Sequence, residues 1–552
     1  MSKNLSKLLG RKGVADSLFD KFGKLNAENN SLAQDQLDHL ANEFLIGSAN
    51  TYGSVTFYDF LKEDNKNKKV YVCNGTACEC SGSQEKVNSQ LLKHFSAEQI
   101  GHMCCLGRCH ENGAFHFNGN NFSAKSDAEI SDIISGKELK GDDHFFVNNT
   151  GACVLTGKEL TIDAFKAGLE KIIKNGSKST IEEIKTSNLR GRGGAGFPMG
   201  FKLESCKNVD DDLKFIICNA DEGDPGAYSD RYLLEKQPLL VLFGMMVSGF
   251  VTGSEWGLLY IRAEYPDSVF VIDKYIQLLS KEGLLGNEIL GSSFNFNFKI
   301  IKAQGAYICG EETALINSIE GQRPEVRTRP PYPTQQGLFN KPTIVNNVET
   351  LSSVYSIIDR GGEWYNKLGT DKSSGTKLVC LDSFFNKPGI YEVEMGYSLS
   401  DLINKDAGGF NEQIKAMQIG GPLGGVVPLD KINELTIDFE SFANEGFLLG
   451  HASVVSIPQS YPMVKYIEHL FDFAAYESCG KCFPCRLGTK RGLEMFSKAI
   501  NTEYKIDEAL ILDLLETLEA GSLCAHGGGI PLPIKNIFQY FKNELKPFIK
   551  ED

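Results

Sequence analysis

Cys479, Cys482 and Cys485 follow C-x₂-C-x₂-C spacing, and an isolated Cys524 stands downstream in Gly521-Ser-Leu-Cys-Ala-His526. Three thiolates so spaced wrap one corner of a cubane, and a fourth from a distant loop closes a [4Fe–4S] site. Zinc also accepts four soft thiolates, but structural zinc sites usually gather them as two separated pairs, so the spacing favours iron and sulfide. A second set pairs Cys73 and Cys78 with Cys105 and Cys109. Two pairs suit a [2Fe–2S] centre, in which each iron takes two thiolates, and they would satisfy zinc as well. Cys80 and Cys104 read as bystanders, and His526 as a capping or surface histidine. The chain has 15 cysteines, and its start, Met1-Ser-Lys-Asn-Leu-Ser-Lys-Leu-Leu-Gly10, lacks a secretory apolar segment. The expected address is the cytoplasm, where clustered thiols are metal ligands or redox groups rather than disulfides.

A third feature is Leu189-Arg-Gly-Arg-Gly-Gly-Ala-Gly-Phe-Pro198, followed by Phe201-Lys202. Close glycines let backbone N–H groups approach a phosphate, and Arg or Lys adds positive charge. The Gly-Lys-Ser/Thr ending of a Walker loop is absent. Downstream, Cys218-Asn-Ala-Asp-Glu-Gly-Asp-Pro-Gly226 puts Asn219, Asp221, Glu222 and Asp224 just past an apolar strand, where open α/β sheets bind ligands. A solvated acidic turn is the plainer alternative. Similar polar clusters recur in Gly305–Thr313 and Val345–Thr350; taken singly, Tyr307 could be a core aromatic and Asn346 a turn residue.

The elements that must position these groups fall into blocks. Residues 14–62 repeat apolar positions at helical intervals (Leu18, Phe19, Phe22, Leu32, Leu37, Leu40, Phe44, Leu45), as in a small bundle. Lys69–Gly75 and Gly113–Gly119 predict strands of a small α+β domain ending near residue 125. From about 150 to 375, short apolar strands alternate with longer helical stretches, the pattern of an open α/β sheet. Residues 376–455 look strand-rich, and helical periodicity returns from 460. The run Pro238–Val251 contains Gly and Ser and falls short of the ~20 residues of a spanning helix, so it reads as a buried helix. A chain of 552 residues implies three to five domains, at roughly 100–200 residues each. A net charge of −14 argues against nucleic acid or anionic membranes as general partners.

In this order, the segments from about 150 to 535 resemble the flavoprotein subunit of respiratory complex I and its relatives in NAD-linked hydrogenases and formate dehydrogenases. Tyr52-Gly-Ser-Val-Thr-Phe-Tyr58, followed by the four-cysteine set, resembles the small thioredoxin-like [2Fe–2S] subunit of the same complexes. The resemblance implies an α/β multidomain chain: a helical bundle over 1–65, a thioredoxin-like [2Fe–2S] domain over 66–125, a Rossmann-like FMN- and NADH-binding domain over 145–375, a ubiquitin-like domain over 376–458 and a helical [4Fe–4S] domain over 459–552. It implies FMN held by Gly191, Arg192, Gly193, Gly194, Gly196 and Lys202, with Asn219, Asp221 and Glu222. Gly223, Tyr307, Gly310, Glu311, Glu312, Asn346, Asn347 and Thr350 complete the implied cofactor pocket. For NAD(H) it implies Phe197 and Tyr332 as aromatic surfaces, with Glu222, Asp224 and Glu312 nearby. Asp224 stands where many complex I members carry Glu.

Implied with these is a diaphorase: hydride exchange between NAD(H) and FMN, then single electrons through the clusters to or from a larger iron–sulfur oxidoreductase subunit. The flavin carries the hydride chemistry, so no catalytic side chain is assigned. Glu477-Ser-Cys-Gly-Lys-Cys482 and Cys524-Ala-His-Gly-Gly-Gly-Ile-Pro-Leu-Pro533 resemble the formate dehydrogenase relatives, whereas the fused amino-terminal module resembles soluble hydrogenases. A complex I-type module is the further family alternative. From other classes come a nucleotide-dependent transferase built on the glycine-rich loop and a zinc-organised docking scaffold.

Overall fold

The structure, a computed structural model, describes residues 3–29, 32–137 and 145–550. Residues 1, 2, 30 and 31 of the expected bundle and residues 551 and 552 of the expected last domain lie outside them. At the centre, four parallel strands lie in the order Asn297–Lys302, Trp256–Ile261, Phe215–Ala220, Thr343–Asn347. The strand that comes first in the chain therefore sits between the second and the fourth. The connections diverge there, and a crevice opens beyond the carboxyl ends of Phe215–Ala220 and Thr343–Asn347.

These strands are almost continuously apolar because a parallel sheet is covered on both faces. Ile216, Cys218, Leu259, Ile261 and Ile344 belong to one core, and Phe215, Ile217, Leu258, Tyr260, Ile301 and Val345 to another. On the first face lies the helix Pro238–Thr252, nearly all of it buried. A Cβ on Gly244 in that helix would stand 2.0 Å from the Leu351 carbonyl oxygen, so glycine is what lets it touch the helix Val348–Arg360. The second face is covered largely by the amino-terminal helices, which bury Leu18, Phe19, Phe22, Leu37, Leu40 and Phe44 against it. The amino-terminal helices thus share their core with the sheet. Among the described residues, no single helix is long and apolar enough to cross a membrane.

A second sheet, in the order Ile100–Met103, Val70–Cys73, Phe115–Phe117, Asn120–Phe122, pairs its first two strands parallel and the rest antiparallel. Helices Ser83–Leu91 and Asp127–Ile134 cover it through Val87, Leu91, Ile130 and Ile133. The latter helix lies past residue 125, and its start is written in the sequence as a capping box of Ser126 and Glu129.

The third sheet has six strands: Val426–Pro428, Ile414–Ile419, Ser453–Pro458, Thr376–Leu381, Gly389–Glu394 and Val147–Asn149. Its last strand comes from far upstream and runs parallel to Gly389–Glu394. The buried Glu392 carboxylate fastens the following chain by accepting from the N–H groups of Val154, Leu155 and Thr156. Helices Met463–Tyr476, Phe483–Asn501 and Glu508–Gly521 form the carboxy-terminal layer, with Gly492 lying directly against the Phe471 ring.

Candidate functional site

The crevice gathers the expected pocket residues from four separate segments. Asn219, near the end of its strand, donates from Nδ2 to the Gly310 carbonyl at 2.9 Å, and its Oδ1 accepts from the Asp221 N–H. Gly223 lies against the Tyr307 ring, where a Cβ would come within 2.6 Å, and the Tyr307 hydroxyl donates to Asp224 Oδ1 at 2.7 Å. Asn346 and Asn347 end the neighbouring strand.

Three helices begin at this rim, each capped by an expected pocket residue. Glu222 accepts the N–H groups of Asp230 and Arg231 in the helix Ser229–Lys236. Glu311 accepts those of Thr313 and Ala314 in Glu312–Ile319. Asn347 accepts those of Glu349 and Thr350 in Val348–Arg360. Helix N-termini carry partial positive charge and suit an anionic ligand. The carboxylates of Glu222 and Glu311 are thus committed to backbone, a role that side-chain type alone did not reveal.

The glycine-rich loop closes on itself through Gly191 N–H to Phe197 O and Met199 N–H to Leu189 O, both at 2.9 Å. Gly194 and Gly196 have φ of +126° and +60°, which side chains resist. The loop is anchored where Thr350 Oγ1 accepts from the Arg192 N–H at 2.8 Å and where Gly193 meets Asn347. The Arg192 side chain is fully buried, with Nη2 donating to the Ser374 carbonyl and the Tyr365 hydroxyl, so it braces the loop from behind. Lys202 Nζ reaches Glu312 Oε2 and the Val345 carbonyl, and Arg329 pairs with both Glu311 and Glu312. Phe197 and Tyr332 are 50% and 54% exposed, leaving ring faces free for stacking. Phe201, outside the expected set, is also exposed and meets Phe197 edge-on at 5.7 Å.

Asp221 Oδ2 and Asn346 Nδ2 are buried without a partner. Buried polar atoms ordinarily have one, so beside a glycine-walled loop they fit a ligand bearing phosphate and hydroxyl groups, as FMN does. Burial pushes the Asp221 carboxyl well above the usual range and raises that of Asp224. Burial and the nearby Asp230 lift Glu222 to about 7. Next to these stands His451, which sequence reading passed over because nothing local marks it: its Nε2 is 3.4 Å from Asp230 Oδ2.

Both cysteine sets assemble. Cys105 and Cys109 Sγ are 3.3 Å apart, and the Cys73 thiol faces both Cys78 and Cys105. The Cys109 thiol is raised by Cys105 and by burial. Cys105 is pushed up to about 12, because its bond with Cys73 and its burial outweigh the lowering bond with Cys109. The buried Cys80 thiol is raised by its burial and by the nearby carboxylates of Asp382 and Glu79. In the other set, Cys485 has Cys482, Cys524 and Cys479 as neighbours, and burial pushes it to about 12. Crowded sulfurs that resist ionisation become thiolates beside metal charge, so both donor sets fit iron–sulfur clusters. His526 is buried rather than superficial, with Nε2 donating to the Ala474 carbonyl at 2.9 Å.

The crevice is in contact with both sets. Toward the first, Gly226 N–H donates to Cys109 Sγ, and Arg262 donates to the carbonyls of Cys104, Cys105 and Glu222. Toward the second, the Tyr307 N–H donates to Glu477, two residues before Cys479.

Three protein families match the chain. Residues 184–356 match the Nuo51 FMN-binding domain, 465–547 the NADH-ubiquinone oxidoreductase-F iron-sulfur binding region, and 12–140 the thioredoxin-like [2Fe-2S] ferredoxin. The F 2 subunit of the NADH-quinone oxidoreductase of Rhizobium meliloti (strain 1021) is 40% identical over 374 residues, 67% of this chain and 89% of that one. The HndC subunit of the NADP-reducing hydrogenase of Solidesulfovibrio fructosivorans is 39% identical over 389 residues, 70% and 79% respectively. The crystal structure of an NAD⁺-reducing [NiFe]-hydrogenase in the air-oxidised state superposes with a TM-score of 0.86 at 27% identity, covering 97% of this chain and 94% of that one. The chain therefore belongs to the family of NADH-quinone oxidoreductase F, or 51 kDa, subunits, as an NADH-binding FMN and iron–sulfur electron-input subunit that carries a thioredoxin-like [2Fe–2S] domain on the same polypeptide.

Proposed function

We propose that this chain is the diaphorase subunit of a cytoplasmic NAD-dependent formate dehydrogenase, exchanging electrons with a larger iron–sulfur subunit. The observation that carries the diaphorase reading is the linkage of the crevice to both four-cysteine sets, in hydrogen-bonded contact with the first and joined to the second through Tyr307 and Glu477. FMN accepts a hydride as a two-electron unit and returns electrons singly, which clusters carry one at a time. Within this reading, Gly191, Gly193, Gly194 and Gly196 give the loop its close approach to the phosphate, with Arg192 and Lys202 bracing it. Asn219, Asp221, Gly223, Gly310, Asn346, Asn347 and Thr350 line the flavin, and the capping residues Glu222 and Glu311 hold the helix N-termini toward it. Phe197 and Tyr332 offer stacking faces to the dinucleotide, beside Asp224, Tyr307 and Glu312. Cys73, Cys78, Cys105 and Cys109 ligate the [2Fe–2S] centre; Cys479, Cys482, Cys485 and Cys524 ligate the [4Fe–4S] centre.

The formate partner rests on the sequence around Cys479 and Cys524. A second reading, an NAD⁺-coupled hydrogenase, draws support from the solved hydrogenase chain that covers 97% of this one, the amino-terminal module included. The test is to purify the complex from its native cells and measure NAD⁺ reduction with formate and, separately, with hydrogen. Formate-driven reduction is expected. Hydrogen-driven reduction without a formate rate would transfer the assignment to the hydrogenase, and a preparation without FMN or acid-labile sulfide would overturn both.

A further inference from the structure

His451 sits on the turn leading into the strand Ser453–Pro458 of the strand-rich domain and is buried. Its Nε2 lies 3.4 Å from Asp230 Oδ2 and 3.9 Å from Glu222 Oε1, both buried carboxylates of the flavin-binding domain. Asp230 Oδ2 also accepts from Asn347 Nδ2 at 2.7 Å. Asn347 caps the helix that carries Thr350, and Thr350 holds the Arg192 N–H of the glycine-rich loop. The preceding residue, Gly450, faces the same loop directly: a Cβ on Gly194 would lie 4.0 Å from its Cα. One turn of the strand-rich domain therefore meets the loop twice, by contact and through a relay of side chains.

Three such donors could in principle bind a metal. The Glu222 oxygens, however, already accept from Ser229 Oγ, the N–H groups of Asp230 and Arg231, and the Tyr265 hydroxyl. What remains is an imidazole facing a carboxylate. Burial alone would discharge the imidazole, but Asp230 more than reverses this and holds it at about 9. Lys377 opposes the proton; Asp224, Tyr265, Cys218 and Cys380 also interact with these three groups, and Arg262 acts on Asp224.

We propose that His451 is a positioning residue for the flavin: as an imidazolium it clamps Asp230 and, through Asn347 and Thr350, keeps the glycine-rich loop in the shape that grips FMN. The proposal rests on the assignment of that loop to FMN. A histidine raised in the folded state contributes fully below its ordinary value of 6.5, and the contribution disappears as pH rises through about 9.

The full chain, stripped of FMN with its clusters intact, is titrated with FMN by flavin fluorescence quenching at about pH 7.5 and about pH 9.5, either side of the clamp's titration. The wild type should bind about threefold more weakly at the higher pH, where about a quarter of a group that titrates at about 9 is still protonated. His451→Gln and Asp230→Asn should bind on the order of tenfold more weakly at the lower pH and change little between the two. A wild-type affinity that is flat across this window overturns the proposal without need of any variant. So does a His451→Gln protein that keeps the wild-type affinity, or one that is weaker yet keeps the wild-type pH profile. A wild-type apoprotein that takes up no FMN at either pH would instead overturn the flavin assignment itself.

Discussion

Each of the two cysteine sets holds four sulfurs, yet their surroundings differ. Cys73, Cys78, Cys105 and Cys109 are all 2% exposed or less, walled in by Gly226 and the carbonyl-bound Arg262 of the flavin-binding domain. In the other set Cys482 and Cys524 reach the surface, and beside them Phe483 and Leu523 are 67% and 44% exposed. Solvent exposure and hydrogen bonds to sulfur set what a cluster can do. An electron bound for another protein needs a centre near the surface that protein covers. On the proposed ligand assignment, the carboxy-terminal centre faces outward to a partner, and the amino-terminal one serves the interior beside the flavin.

The sharpest way to break this contrast is to remove a ligand from the outward set. Cys482→Ser or Cys524→Ser should cut partner-coupled turnover by on the order of a hundredfold or more, since losing even an outer-shell partner of a metal costs up to about that much. NADH oxidation with an artificial dye, which takes electrons directly from flavin, should survive. FMN content is measured first, so that a misfolded preparation is not read as a broken relay. Wild-type partner-coupled rates in both variants would end the proposed route.

That contrast was half legible in the sequence. The thiol sets and the glycine-rich loop could be read because most of their residues are close in the chain: spacing alone brings Cys479, Cys482 and Cys485 to one loop and the helix start that follows it, and Gly191 to Gly196 to one turn. What sequence could not supply was which faces are covered. The amino-terminal helices read as a bundle, yet Leu18, Phe19 and Phe22 lie on a sheet whose strands begin near residue 215. Val147–Asn149 joins a sheet otherwise built more than two hundred residues later. Asp230 and His451 join Glu222 only in the fold; Glu222 stands in a motif, whereas the other two are unremarkable polar residues in the sequence. The helix Asp127–Ile134 is different: its capping box was present in the sequence, and the strand pattern before it drew the boundary too early.

Removing a ligand from the inward set tests the other half. Cys73→Ser or Cys109→Ser should abolish the [2Fe–2S] signal in electron paramagnetic resonance but lower partner-coupled turnover by about tenfold or less, the lower end of the same range. The same variants should lose more thermal stability than those at Cys482, because Cys109 lies in the main core and accepts the Gly226 N–H, whereas Cys482 is partly exposed. If Cys109→Ser reduced partner-coupled turnover as much as Cys482→Ser does, the inward centre would lie on the main route and the contrast would fail.

The smallest expected effect concerns the surface beside the outward centre. Phe483 is the first residue of the helix Phe483–Asn501, directly after Cys482, and its ring is exposed. Truncation to alanine removes no buried contact of consequence and places a good helix former at a helix start, so folding and cluster content should not change. A ring that docks against a partner is another matter: truncating a contributing aromatic at an interface costs on the order of 1 kcal/mol. Phe483→Ala should therefore raise the half-saturating concentration of the partner subunit about fivefold, with the maximal rate and the dye-coupled rate unchanged. A fall in the dye-coupled rate would point to a disturbed cluster or flavin rather than a docking surface. An unchanged response to partner concentration would show that the partner approaches this centre over a different face, and the exposure of Cys482 and Cys524 would then no longer explain how electrons leave.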